Sequence, residues 1–297
     1  MMPLRRIASV SALILPLLLS GCFVEFTTRK LPVPVAPANV QTVTPEELVA
    51  RLNQRWDTLQ TLNATVEIQA SVEKSDQGLA RDYTTFRGII LMRKPGMLRV
   101  LGLVPILGTR MFDMASDGNN FTLYVPSKSK AIKGSNKLNK KSVNVLENLR
   151  PEFFYDSMVV QGLAPDDDYL VAGDSETIED VKKKRLLITP EYVLNIMRRK
   201  EGSHELKPSR VITIHRDDLL PYDQDFYDSE GNIETEVTYS NYQKFDFGMY
   251  PNKMIIKRPL EGFQLVLTIQ KVNQNQTLSD DQFNVTVPDG TQIQNLE

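Results

Sequence analysis

Side-chain catalysis needs a nucleophile, a base or a metal cluster, and this chain of 297 residues offers little of each. Cys22 is its only cysteine, and His204 and His215 are its only histidines. His204-Glu205 lacks the second histidine that a zinc-hydrolase helix requires, and no Cys/His cluster exists for structural zinc. Ser127-Lys128-Ser129-Lys130 has the Ser-x-x-Lys spacing in which a lysine can activate a serine. Its partner motifs are missing, and it lies in a basic stretch. Asp217, Asp218, Asp223 and Asp225 could offer oxygens to calcium, but Tyr227 breaks the alternate-position register of a calcium loop. A solvated acidic loop is the other reading of that stretch. No glycine-rich loop ends in Gly-Lys-Ser/Thr. The expectation is no catalytic residue, no cofactor and no metal, so that function rests on binding.

The one thiol is placed for a different chemistry. Arg5 and Arg6 precede an apolar run from Ile7 to Leu19, the layout of a secretory signal peptide and too short to span a bilayer. The run closes on Leu19-Ser20-Gly21-Cys22, which resembles the bacterial lipobox. There the cysteine sulfur receives a diacylglycerol, and the cysteine becomes the first residue of the mature chain. Residues 1–21 are thus expected to be cleaved and Cys22 to be lipidated. Stable anchoring takes at least two chains at roughly 0.8 kcal/mol per buried methylene. Phe23 stands where the enterobacterial sorting rule places Asp for inner-membrane retention, which points to the outer membrane.

Cleavage removes two positive charges from a chain of formal charge −2. Nothing in that balance suggests nucleic acid as a partner. Residues 22–43 read as a lipidated tether, because Pro32, Pro34 and Pro37 favour an extended chain. At about 3.1 Å per residue the tether could reach roughly 60 Å. Residues 44–297 form the folded domain, with the body in the periplasm.

The folded part opens on a helix. Thr44 can cap it, Pro45 fits its first position, and Glu46 and Glu47 complement the dipole. Leu48, Leu52, Trp56, Leu59 and Leu62 share one face, expected to pack on the domain's own sheet. After Asn63 the period becomes two, and strands are expected at 84–92, 97–103, 109–116, 120–126 and 130–133. Asp117-Gly118-Asn119 and Ser229–Asn232 are hairpin turns. Residues 137–141 read as a basic loop, and Val143–Leu149 and Glu152–Val159 as two short helices divided at Pro151. Strand patterns return at 169–173, 185–189, 193–198, 210–215, 234–242, 254–257 and 263–272. About a dozen sequential strands predict a mainly β (α+β) fold, one large and strongly curved antiparallel sheet.

Between two of these strands lies Val104-Pro105-Ile106-Leu107-Gly108. Hairpin loops are normally polar, so Val104, Ile106 and Leu107 either fold back over the core or present apolar side chains to a lipid or a partner.

The segment from Arg99 to Gly118, with its strand, hydrophobic Pro-Ile-Leu-Gly loop, strand and turn, resembles the LolA/LolB-type lipoprotein-carrier superfamily. So do the leading helix, Leu149-Arg-Pro-Glu-Phe-Phe before the Gly162–Pro165 turn, and the ending Leu278–Gly290. The resemblance covers about residues 44–290. It implies an incomplete β-barrel whose concave apolar face is lidded by short helices and accepts acyl chains of lipoproteins. It also implies that Leu107, with Ile106 beside it, contacts the membrane. The chain is longer than a typical LolB, with extra material around residues 190–240. The same half-barrel also serves proteins that hold an envelope protein partner.

Overall fold

Thr44 accepts a hydrogen bond from the Glu47 amide at 3.2 Å and starts helix α1 (Pro45–Thr58). The structure is a computed structural model, and it describes residues 33–37, 39–74, 79–136, 150–180, 185–199 and 202–296. Cys22, the 137–141 loop and the Val143–Leu149 helix lie outside the described residues. Helix α1 ends earlier than the apolar stripe suggests. Leu59 is already extended, and Leu62 belongs to strand β1 (Thr61–Lys74), where it is fully buried. Asn275 makes this abrupt change possible. Its side-chain oxygen accepts from the Gln60 amide at 2.8 Å, and its amide nitrogen donates to the Thr58 carbonyl at 2.9 Å. The helix end is thereby tied to the strand that β1 must pair with.

The remaining strands are β2 (Leu79–Asp82), β3 (Phe86–Arg93), β4 (Met97–Leu103), β5 (Arg110–Ser116), β6 (Asn120–Val125) and β7 (Lys130–Ser135). After helix α2 (Pro151–Met158) come β8 (Asp168–Asp180), β9 (Arg185–Arg199), β10 (Leu206–His215), β11 (Pro221–Tyr227) and β12 (Ile233–Phe245). The chain closes with β13 (Gly248–Arg258), β14 (Phe263–Gln274) and β15 (Gln292–Asn295). They make one sheet in the order β15-β7-β6-β5-β4-β3-β1-β14-β13-β12-β11-β10-β9-β8, with β2 on β1. Pairing is antiparallel except for β15 on β7. The chain starts at the middle, since β1 lies between β3 and β14; it works outwards to β7, crosses through α2 to the far edge at β8 and returns hairpin by hairpin to β14. The terminal strands β15 and β8 do not pair, so the curved sheet stays an unclosed, incomplete barrel.

Strand β11 overturns one expectation. The acidic stretch between Asp217 and Glu230, expected to be a weak calcium loop or a solvated loop, contains at Pro221–Tyr227 an internal strand paired with both β10 and β12. Its acidic residues alternate with Gln224 and Phe226, so one face stays polar while the other meets the core, a half-buried pattern weak in aliphatic signal. The pieces expected at 185–189 and 193–198 are one strand, because Pro190 sits beyond the end of β10 and leaves no ladder bond unmade.

Inward residues of β1, β3–β6 and β12–β14 pack with Phe153, Phe154, Tyr155 and Met158 of α2 into the main core. Leu48 and Leu52 of α1 pack separately on Tyr192, Leu194, Ile196, Ile212 and Ile214 of β9 and β10. On the outer side, Leu278 and Phe283 cover Leu91.

Candidate functional site

The concave face is largely filled by helix α2, and the reason is polar as much as apolar. The last carbonyls of a helix lack intrahelical partners. Here the Tyr250 hydroxyl donates to the Met158 carbonyl at 2.7 Å and the Tyr239 hydroxyl to the Ser157 carbonyl at 3.0 Å. Gln224 Nε2 donates to the Asp156 carbonyl at 3.1 Å and to the Tyr239 oxygen at 3.2 Å. Three inward side chains of β11, β12 and β13 thus bolt the end of α2 to the sheet. Sequence reading missed this clamp, although Tyr239 falls on the inward alternation of β12. Burial raises the phenol pKa of both tyrosines, so they remain donors.

Beside the clamp a cavity of about 250 Å³ remains. Leu52 and Trp56 of α1 with Leu59 just after it form one wall, Met158, Val159 and Val160 another, and Tyr239, Tyr242, Phe247 and Tyr250 the floor. Arg55 and Thr58 stand with them. Tyr242 donates its hydroxyl to the Pro221 carbonyl, and Lys94 Nζ lies 3.7 Å from the centre of the Trp56 ring. Asn53 docks the following turn on α1, because its Oδ1 accepts from the Leu163 amide at 2.8 Å. A Cβ at Gly162 would come within 2.6 Å of that oxygen, so a larger residue there would have to displace the Asn53 side chain.

The apolar loop resolves the open alternative of the sequence. Ile106 is fully solvent-exposed, at 105% relative accessibility, and Leu107 is 75% exposed; neither folds over the core. Ile106 has φ of 68°, a left-handed conformation that a β-branched residue adopts only under strain. The loop is closed beneath it by the Val104 amide on the Thr109 carbonyl (2.8 Å) and the Gly108 amide on the Val104 carbonyl (3.0 Å). Val104 itself is half-buried. Cavity and loop lie on different rims. The cavity is bordered by the starts of β1, β11 and β13, whereas the loop follows the end of β4, which runs the same way.

The candidate chemical residues stay apart. Asp218 is held in a turn by the Leu220 amide and the Tyr222 hydroxyl, both at 2.9 Å, while Asp223 and Asp225 sit on the outer face of β11. Among the described residues no three His, Cys, Asp or Glu side chains are arranged to hold a metal. Ser129 is left-handed at the end of a short turn, and Lys130 begins β7. His204 is exposed in a turn, and His215 stacks on Tyr222 with ring centroids 3.5 Å apart.

Two charged arrangements were not legible in the sequence. Arg99 grips the wholly buried Asp113 through Nε (2.9 Å) and Nη2 (2.8 Å), and its Nη1 donates to the Gln282 carbonyl at 3.0 Å. On the outer face, Asp174, Glu176, Glu191, Asp223, Asp225 and Glu236 line a groove of about 460 Å³. Burial, then Glu176, Asp223 and Asp174, pushes the Glu191 carboxyl up to about 7. Glu191 Oε1 lies 3.4 Å from His215 Nε2, and burial lowers that histidine's pKa despite the surrounding carboxylates.

A family model described as "Uncharacterized protein" matches residues 105–287, more than half of the chain. The chain belongs to that family. No curated protein matches it in sequence. Among solved structures it is similar to a LolA superfamily protein from Nitrosomonas europaea, at 16% identity and a TM-score of 0.50. The match covers 82% of this chain and 99% of the other. It is also similar to a putative outer membrane lipoprotein-sorting protein domain from Vibrio parahaemolyticus (14% identity, TM-score 0.51, 80% and 95% covered). A third is a DUF1329 family protein from Desulfovibrio piger (19% identity, TM-score 0.51, 80% and 95% covered). The fold of this family member is therefore LolA/LolB-like, as the order of loop, strands and turns implied.

Proposed function

We propose that this chain is a non-catalytic, lipid-anchored protein of the bacterial outer membrane, with its body in the periplasm, that binds an acyl chain of a lipid or lipoprotein. The observation that carries this reading is the apolar cavity between α1 and the β12–β13 hairpin, open at the rim where the N-terminal segment enters. Burying hydrocarbon there is favourable by about 25 cal/mol per Å² of apolar surface. Cys22, acylated after cleavage of residues 1–21, supplies the anchor.

The volume limits the ligand. Small-molecule pockets run from about 300 to 1,000 Å³, so some 250 Å³ admits part of one chain while α2 stays clamped. A full lipoprotein anchor requires α2 to swing out. Native mass spectrometry of the body, purified without its anchor, tests the reading: co-purified lipid is expected. Val160→Trp, which fills the cavity from a half-buried wall position, should abolish it without changing the circular dichroism. Lipid retained by that variant would place the ligand elsewhere.

A second reading, a subunit that holds an envelope protein partner, is favoured by the packing of α2 into the concave face. Loosening the Tyr250–Met158 clamp separates the two readings.

A further inference from the structure

The N-terminal segment does not hang free from Thr44. The Val35 amide donates to the Leu186 carbonyl (2.9 Å), and the Ile188 amide donates to the Val35 carbonyl (3.0 Å), a parallel bridge onto β9. The Gln41 amide donates to the Arg216 carbonyl at 2.7 Å, and Arg216 returns bonds to the Gln41 carbonyl (3.1 Å) and Thr42 Oγ1 (2.9 Å). The Val43 amide donates to the Tyr192 hydroxyl at 3.1 Å. Because the bridge is parallel, the chain traced backwards from Val35 heads towards Arg185, where β9 begins. β9 and β4 run in the same sense through the chain of antiparallel pairs. Val33 and Pro34, which precede the bridge, therefore lie at the rim opposite the Val104–Gly108 loop.

The leash that remains, residues 22–34, spans roughly 40 Å at full extension. Strands of 14 and 15 residues, such as β1 and β9, are themselves roughly 45–50 Å long. A leash of that length falls short of the strand length it would have to run back along to bring the loop rim to the membrane that holds Cys22. We infer that the Val104–Gly108 loop faces away from its own anchoring bilayer and docks on a protein whose contact surface is apolar with an acidic rim. The inference rests on the proposed lipidation of Cys22. Leu103, at the base of the loop, pairs with Arg87 on one side and Arg110 on the other. Arg87 is exposed and has no ion pair among the described residues, while Arg110 reaches only a shared oxygen of Asp113 at 3.4 Å. Two apolar tips above two guanidinium groups match carboxylates around a greasy pocket.

The test uses the full lipidated chain in vesicles of phosphatidylethanolamine and phosphatidylglycerol. Acylation consumes the only native thiol, so Leu107→Cys and, at the tether rim, Ile178→Cys can each carry an environment-sensitive fluorophore. Doxyl lipids should quench the label at 178 and leave that at 107 with aqueous emission. A blue-shifted, quenched label at 107 overturns the inference and leaves the anchor standing; an unmodified Cys22 in the mass spectrum overturns both. A photo-crosslinker at 107 in intact envelopes should give a protein adduct that falls at least tenfold in Arg87→Glu. A phospholipid adduct, a protein adduct indifferent to that charge reversal, or no adduct at all overturns the partner assignment.

Discussion

Tyr250 donates its hydroxyl to the Met158 carbonyl at 2.7 Å, so a strand residue caps the helix that fills the barrel. Tyr250→Phe leaves that carbonyl buried and unmet, at a cost of about 1–3 kcal/mol. The variant should melt earlier and, because the lost bond holds α2 down, retain more co-purified lipid. Lower stability with less lipid would mean that α2 is structural filling, which supports the partner-binding reading.

Ile106 gains nothing from the core and holds a left-handed backbone. Ile106→Gly should therefore raise stability by about 1 kcal/mol, measured by urea denaturation. Leu107→Glu, at a position also exposed, should change it by less than about 0.5 kcal/mol. Both should weaken docking of the loop. If Ile106→Gly destabilises the body, the loop has a packing role that its exposure does not reveal.

Asp113 is wholly buried and depends on Arg99. Arg99→Ala should cost roughly 3–5 kcal/mol, since the buried carboxylate then keeps only the long contact to Arg110 at 3.4 Å. It also frees the Gln282 carbonyl, so the turn at 280–283 should lose hydrogen-exchange protection first. Arg99→Ala with Asp113→Asn should recover much of the loss; no recovery would shift the blame to that turn.

Burial, reinforced by Glu152, pushes Asp156 up to about 7, while Arg210 and Gln161 oppose the rise. Burial, with Glu236 and Asp223, pushes Asp225 up to about 6, and Glu191 stands near 7. Carboxyls with raised native pKa values bind protons more tightly folded than unfolded. Their contribution to stability is full below the unfolded value near 4 and is lost as pH rises through 6 to 7. His215, with its pKa lowered, acts oppositely, losing stability as pH falls through about 6.5. Glu191→Gln should thus raise the melting temperature at pH 8 more than at pH 5. Equal shifts at both pH values would show that Glu191 is not protonated in the folded protein.

Local chemistry made the leading helix, most strands and the hairpin turns legible in the sequence. Thr44-Pro45 can start a helix in any context, and period-two alternation names a strand whose neighbour is unknown. The order of the 99–118 segment even led to the half-barrel, because that hydrophobic loop between two strands is a chain-level pattern. β11 was hidden because a strand polar on one face and holding Gln224 on the other looks like a loop until β10 and β12 flank it.

What the amino-acid order determined unaided was therefore where strands run, where they turn, and that one loop is too greasy for water. Tertiary structure alone decided which carbonyls of α2 meet Tyr239 and Tyr250, how much cavity survives, and that Ile106 stands in solvent. It alone also decided at which rim Val33 and Pro34 lie. Those facts depend on contacts between residues far apart in the chain, such as Val35 with Leu187 and Met158 with Tyr250, and no local preference encodes such a meeting.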